Sequence, residues 1–341
     1  MAQRIQAFKR VEYLNSPMAI GFSVSMLDSH SEIQQIRGLD LLMLGFSEFL
    51  LDLAASEGVI SRVIRLLKSG STTVLEKATE ALYMLSMPEE NEVRIASNHI
   101  TIQRLAALVE YQDSWSVRAN AVKILESLSF NPVNREKILK EHRSVEEVAA
   151  LLFHESFAAQ SSASSLLWNL STSSMANRIR IASIYGLPQR LSDLLLSDSL
   201  LVQEKAAGAI MSLSYNGRSR NMIDSIACTF ERLIKLLDSV STLVHQNAAG
   251  ALYNLSISPD NIAAIGTHPR AVANLVGLLC SKCDLVQEYV AGALGNLTLM
   301  EEMREDMKQM GAMPLLKKLK QSSSSASVRT QAKRALQNLL V

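Results

Sequence analysis

One short pattern returns at a nearly fixed interval along most of this chain. Segments of the kind Ala-Leu-Tyr-Met-Leu85, Ile-Leu-Glu-Ser-Leu128, Leu-Leu-Trp-Asn-Leu170, Ala-Ile-Met-Ser-Leu213, Ala-Leu-Tyr-Asn-Leu255, Ala-Leu-Gly-Asn-Leu297 and Ala-Leu-Gln-Asn-Leu339 end on leucines spaced 43, 42, 43, 42, 42 and 42 residues apart. A degenerate eighth copy precedes them at Asp40-Leu-Leu-Met-Leu44. A second element recurs between the anchors, as in Val63-Ile-Arg-Leu-Leu67, Leu191-Ser-Asp-Leu-Leu195 and Leu275-Val-Gly-Leu-Leu279. Both elements place apolar residues at i, i+3 and i+4, the helical period. Prolines confirm the phase. Pro88, Pro132 and Pro259 fall just past an anchor leucine, where a helix must stop. Pro188, Pro269 and Pro314 open the second element, where a first turn tolerates a missing N–H. A short variable stretch such as Asn134-Arg-Glu-Lys-Ile-Leu139 leaves room for one more short helix. The unit is therefore about 42 residues: a short helix and two substantial ones.

Such a period excludes more than it admits. A unit of this size cannot bury its apolar faces alone, so neighbours must stack into one continuous core. The 341 residues thus read as one elongated array rather than two globular domains. Only 14 glycines and 7 prolines argue against an all-β sandwich. A net charge of +1 argues against a nucleic-acid binder held by bulk charge. The most apolar stretch, Leu39 to Ile60, is broken by Asp40, Glu48 and Asp52, so no membrane insertion is expected. No signal-peptide core opens the chain, and Ala2 excludes N-myristoylation. Three cysteines fit a reducing compartment, the cytoplasm or nucleus.

The run Ala248-Ala-Gly-Ala-Leu-Tyr-Asn-Leu-Ser256, followed by Pro259-Asp-Asn and then Leu275-Val-Gly-Leu-Leu279, resembles the armadillo repeat. HEAT repeats lack this glycine and asparagine signature. In style the array is most similar to those of plant U-box ubiquitin ligases and armadillo-only proteins, although nothing before Ser31 has the pattern of a U-box. The resemblance covers residues 35–341, after a leader or cap over 1–34, with repeats ending near Leu44, Leu85, Leu128, Leu170, Leu213, Leu255, Leu297 and Leu339. It implies an all-α, right-handed superhelical solenoid of about eight three-helix repeats. With helices 8–10 Å apart, eight units span on the order of 80 Å. It also implies that the third helices line a concave groove for an extended peptide, about three residues per repeat.

That resemblance puts the asparagine of Asn-Leu-Ser on the groove face, and helical geometry adds the positions about one, four and seven before it. The candidate groove residues are Tyr83, Lys123, Trp168, Asn169, Lys205, Asn247, Tyr253, Asn254, Tyr289, Asn296, Arg334 and Asn338. An asparagine amide donates and accepts, which suits the backbone of an extended chain; it can equally fix a neighbouring helix. Tyr83, Trp168 and Tyr253 share one position and form pocket walls, unless the helix tilt buries them. Glycines 208, 250 and 292 share another, and glycine is costly inside a helix. They answer either a packing need or room for a ligand.

Departures from the family pattern narrow the function. Nuclear-import adaptors of this fold carry tryptophan four residues before the asparagine, where this chain has Ser165, Gly250, Gly292 and Arg334. Its first forty residues hold only Arg4, Lys9, Arg10 and Arg37, not a basic autoinhibitory segment. Residues 307–341 contain Lys308, Lys317, Lys318, Lys320, Arg329, Lys333 and Arg334 and no acidic side chain. Such an end either attracts an acidic partner segment or serves as a solubilising cap. Cys280-Ser-Lys-Cys283 lacks the second ligand pair of a zinc site and falls in a loop between helices. The six histidines occupy no common repeat position, and no phosphate loop or nucleophile elbow is present. The expectation is a monomeric, non-catalytic protein-interaction scaffold without cofactor, bound to a protein or peptide. The alternative is the substrate-recognition part of a ubiquitin-ligase system whose U-box or ligase is supplied elsewhere.

Overall fold

In a computed structural model, residues 17–45, 58–97, 99–226 and 228–340 are described. The first sixteen residues of the expected leader lie outside them. The described residues form 22 α-helices and no strand. The chain divides into two compact units at Leu151/Leu152.

In the first unit, helix Pro17–Leu27 packs on Glu32–Gly45. Val59–Leu66 then packs on Thr72–Ser86. The triplet Glu89–Ser97, His99–Val109 and Trp115–Leu128 follows, and Pro132–Lys140 with His142–Ala150 close the unit. The second unit opens on Phe157–Ser171 and continues in four triplets. These are Met175–Ala182, Leu187–Leu194, Leu200–Leu213; Gly217–Asp224, Thr229–Leu236, Thr242–Leu255; Pro259–Gly266, Ala271–Leu278, Asp284–Leu297; and Glu301–Gln309, Ala312–Ser322, Ala326–Leu339. Within each unit, successive third helices lie against one another. The expected three-helix unit is thus present, with one difference. The second helix is as short as the first in three triplets of the second unit. It tightens early into i→i+3 bonds, such as Leu195 N–H to Ser192 O and Leu279 N–H to Val276 O.

The anchor leucines are the axis of the core. Leu85, Leu128, Leu170, Leu213, Leu255, Leu297 and Leu339 are all buried. The degenerate copy differs: Leu39 and Leu42 are buried, whereas Leu44 is 57% exposed. Its core phase therefore falls two residues earlier than the leucine pattern suggests.

Local chemistry repeats with the same period. Serines 114, 199, 241 and 325 begin third helices, and each hydroxyl accepts from the N–H of a valine three residues on. At the opposite end, the following first helix closes the exposed carbonyls. Asn91, Asn134 and Asn261 donate Nδ2–H to the carbonyls of Leu85, Leu128 and Leu255 at 2.9–3.0 Å, and Ser219 donates to that of Leu213. The next residue continues this in three repeats. Arg135 donates to the Ser129 and Phe130 carbonyls (2.6 and 3.0 Å), Arg220 to those of Ser214 and Tyr215 (3.1 and 3.4 Å), and Arg304 to that of Thr298 (2.8 Å). Buried helix ends need such donors, and a cation there also complements the helix dipole.

Second helices are entered through a left-handed residue at Gly58, Gly186 and Gly311, with φ of 83°, 74° and 75°. Cys228 holds the same place at φ 64°, where a Cβ is strained. Cys228→Gly should therefore raise unfolding stability by about 1 kcal/mol, less the entropy a glycine adds to the unfolded chain. A urea titration of both proteins measures it; an unchanged or lower midpoint would show that the strain is absorbed elsewhere.

Candidate functional site

Third helices present their expected groove residues repeat by repeat, and each unit is described separately. In the first unit, Tyr83 lies on Thr72–Ser86 and Lys123 on Trp115–Leu128. The Lys123 ammonium stands 5.2 Å from the Tyr83 ring centroid, a cation–π contact between successive repeats. Both side chains are half-buried.

In the second unit, the recurring glycines and the recurring large residues explain each other. A Cβ built on Gly208 would stand 2.4 Å from Cε3 of Trp168. One on Gly250 would stand 2.3 Å from Sδ of Met211, and one on Gly292 2.6 Å from Cε2 of Tyr253. Each large side chain thus lies on the backbone of the next third helix. The last pair is reversed. Gly295 takes the large residue's place, and the following repeat offers Arg334, whose guanidinium donates to the Gly292 carbonyl at 2.9 Å. The glycines meet a packing need, and Trp168, Met211 and Tyr253 each give one face to it. Met211 belongs to this series, although the aromatic pattern passes over it.

Further contacts extend the series. The Tyr289 and Tyr253 rings stack at 6.2 Å with 24° between planes. Gln331 Nε2–H reaches the Tyr253 hydroxyl at 3.4 Å. Burial, aided by the nearby Glu288, Cys283 and Tyr253, pushes the Tyr289 phenol above its ordinary value, so it is a neutral donor at physiological pH. Lys205 lies 6.0 Å from the Trp168 ring centroid and pairs with Glu204 at 2.8 Å.

The asparagines act first on their neighbours. Nδ2–H of Asn247, Asn254, Asn296 and Asn338 donates to the carbonyl 43 residues earlier: Glu204 (2.9 Å), Met211 (2.8 Å), Tyr253 (3.4 Å) and Gly295 (3.1 Å). Asn296 also donates to Ser256 Oγ at 3.0 Å. The amides therefore tie successive third helices together. Asn247 is buried with Oδ1 unpaired, and Asn169 is half-buried beside Trp168. Sequence alone cannot tell an amide turned to a neighbouring helix from one turned outward.

Elsewhere, Cys280 is exposed, and Cys283 is the N-cap of Asp284–Leu297 in the interhelical loop expected for it. Ser322 still belongs to the helix Ala312–Ser322, so the serine run enters a loop only after it. Among the described residues, no three His, Cys, Asp or Glu side chains converge, and no helix is long and apolar enough to cross a membrane.

No protein-family model and no curated protein sequence matches the chain. Solved structures do. One engineered protein is similar over 94% of this chain and 78% of its own, with 27% identity and a TM-score of 0.80. A second covers 70% and 96%, with 28% identity and a TM-score of 0.62. A designed armadillo repeat protein solved in complex with the peptide (KR)4 covers 70% and 99%, with 22% identity and a TM-score of 0.60. The chain has the fold of an armadillo-repeat α-solenoid.

The interlock has a consequence of definite sign. Alanine for glycine in a helix ordinarily stabilises by about 1 kcal/mol. Gly292→Ala should instead destabilise by about 1–3 kcal/mol, because the new methyl meets the Tyr253 ring. In a Tyr253→Ala background the same change should lose that penalty. A double-mutant cycle by chemical denaturation reads the coupling; additive effects would refute the interlock.

Proposed function

We propose that this chain is a non-catalytic scaffold that binds an extended peptide segment of a partner protein along the face of its third helices, in the cytoplasm or nucleus. The row of half-buried rings at one repeat position carries this reading. Trp168 and Tyr253 spend one face on the next repeat's glycine, which holds each ring in place before any ligand arrives. Aromatic anchors fixed in this way lose little freedom on binding, which favours affinity. Lys123, Lys205 and Tyr289 supply polar groups beside the rings. Asn254 and Asn296 add acceptor oxygens, because their helix-to-helix bonds use only the amide nitrogen. Peptide binding in a designed protein of this fold supports the class of activity.

We further propose an acidic partner segment for the last repeats. Lys317, Lys318, Lys320 and Lys333 are exposed there, whereas Arg329 and Arg334 are committed to carbonyls of their own chain. No contact described above favours a ubiquitin-ligase role in particular.

Peptides selected from a random extended library on the intact chain test this. Trp168→Ala with Tyr253→Ala should weaken the selected peptides by about tenfold or more. Because both rings also pack between repeats, some loss of melting temperature is expected too. Val240→Ser with Tyr185→Ser, at exposed positions in the connections between helices, should leave binding unchanged. Equal affinity for the ring variant and the native chain would exclude this face as the binding site.

A further inference from the structure

Glu92 departs from a pattern that three other repeats share. It follows Asn91, as Arg135 follows Asn134 and Arg220 follows Ser219. Its predecessor behaves as in the other repeats: Asn91 donates to the Leu85 carbonyl at 2.9 Å. At the next position three other repeats bring a guanidinium to the C-terminal carbonyls of the preceding third helix; a fourth sets Arg178 against the Tyr215 ring, and a fifth has the buried Ile262. Here the chain brings a carboxylate. It cannot donate to those carbonyls, and its charge opposes the dipole of that preceding helix, although it stands in the first turn of its own.

No described side chain compensates the replacement. Glu92 is only 6% exposed, and among the described residues no hydrogen-bond donor or cation reaches its carboxylate. Burial, with the charge of Glu89, pushes its pKa above the ordinary glutamate value. A buried charge without a partner is costly, so such sites favour an occupant. Space for one exists. Glu92 lines a cavity of about 420 Å³ together with Glu89, Val93, Phe130, Asn131 and Pro132.

We propose that this cavity is a receptor for an arginine side chain of a partner polypeptide, which supplies in trans the guanidinium that Arg135 and Arg220 supply in cis. The walls fit that group. Glu89 and Glu92 offer two carboxylates to a planar, five-donor fork. Phe130, 58% exposed, offers an aromatic surface on which a guanidinium stacks better than an ammonium does. The chain already shows this pairing of charge and ring at the equivalent position of a later repeat, where the Arg178 guanidinium stands 4.9 Å from the Tyr215 centroid. The cavity is built from a first helix and the turn before the next one, not from the ring-bearing face of the third helices. Its occupant is therefore independent of the peptide reading above.

Titration of the ¹⁵N-labelled full chain with the peptide acetyl-Gly-Arg-Gly-amide, followed by amide NMR, tests the proposal. Shifts should concentrate at residues 89–93 and 130–133. The citrulline peptide, equal in shape but uncharged, should produce none at the same concentration. Glu92→Arg should abolish the shifts and raise the melting temperature, because it restores the contact made in other repeats. If that variant does not fold, Glu92→Gln carries the test, with affinity expected to fall about tenfold. Trp168→Ala with Tyr253→Ala should leave the shifts intact, which separates this site from the third-helix face. The proposal is overturned if residues 89–93 do not respond, if citrulline works as well as arginine, or if both Glu92 variants bind as the native chain does.

Discussion

Stacking in the second unit depends on an exchange of volume between successive third helices. Where one helix presents Trp168, Met211 or Tyr253, the next presents glycine, and the ring or thioether lies where a Cβ would be. Interhelical distance is set by the side chains at the contact, so this pairing fixes how closely one repeat approaches the next. A helical glycine costs about 1 kcal/mol, and an aromatic ring buries 150–250 Å² when fully covered. The exchange favours the ring. The pair Gly295 and Arg334 shows that the shared volume is retained, not the residue type on either side. Function inherits this constraint, because the rings most suited to hold a ligand are the ones immobilised by packing.

Polar groups follow the same translation. Asn247, Asn254, Asn296 and Asn338 each tie their helix to a carbonyl 43 residues earlier, and Asn91, Asn134, Ser219 and Asn261 each close a preceding helix end. These bonds satisfy buried backbone that a solenoid of short helices would otherwise leave bare in every repeat. They also limit what the asparagine row can give to a ligand. Its amide N–H groups are engaged between repeats, and the carbonyl oxygens are what remains.

Much of the fold was legible because the repeat is a translation, and translation appears in sequence as a fixed spacing of leucines. Where the pattern degenerates, that spacing stops being informative. Asp40-Leu-Leu-Met-Leu44 offers several leucines and no asparagine to set the phase, so the core leucine, Leu42, was not distinguishable from the exposed Leu44. The serine caps were equally legible: Ser114, Ser199, Ser241 and Ser325 each precede a valine by three residues. Attention to helix ends rather than anchors would have found them. The site was less legible, since its two open questions concerned direction. Whether a glycine makes room for a ligand or for a neighbour, and whether an amide faces outward or sideways, depends on the separation of helices about 40 residues apart. No single repeat encodes that separation.

A repeat protein carries its own alignment, and this sharpens the meaning of its irregularities. Lys123 stands where three later repeats have glycine, and Tyr83 receives its charge. Arg334 stands in the same place, and Gly295 makes room for it. Both departures are answered by the adjoining helix, so they belong to packing. Glu92 reverses the charge found at Arg135, Arg220 and Arg304, and nothing among the described residues answers it. A substitution that a neighbour compensates conserves the solenoid. One that leaves a buried carboxylate facing an open cavity adds nothing to it, and its chemistry points to a cation from outside the chain.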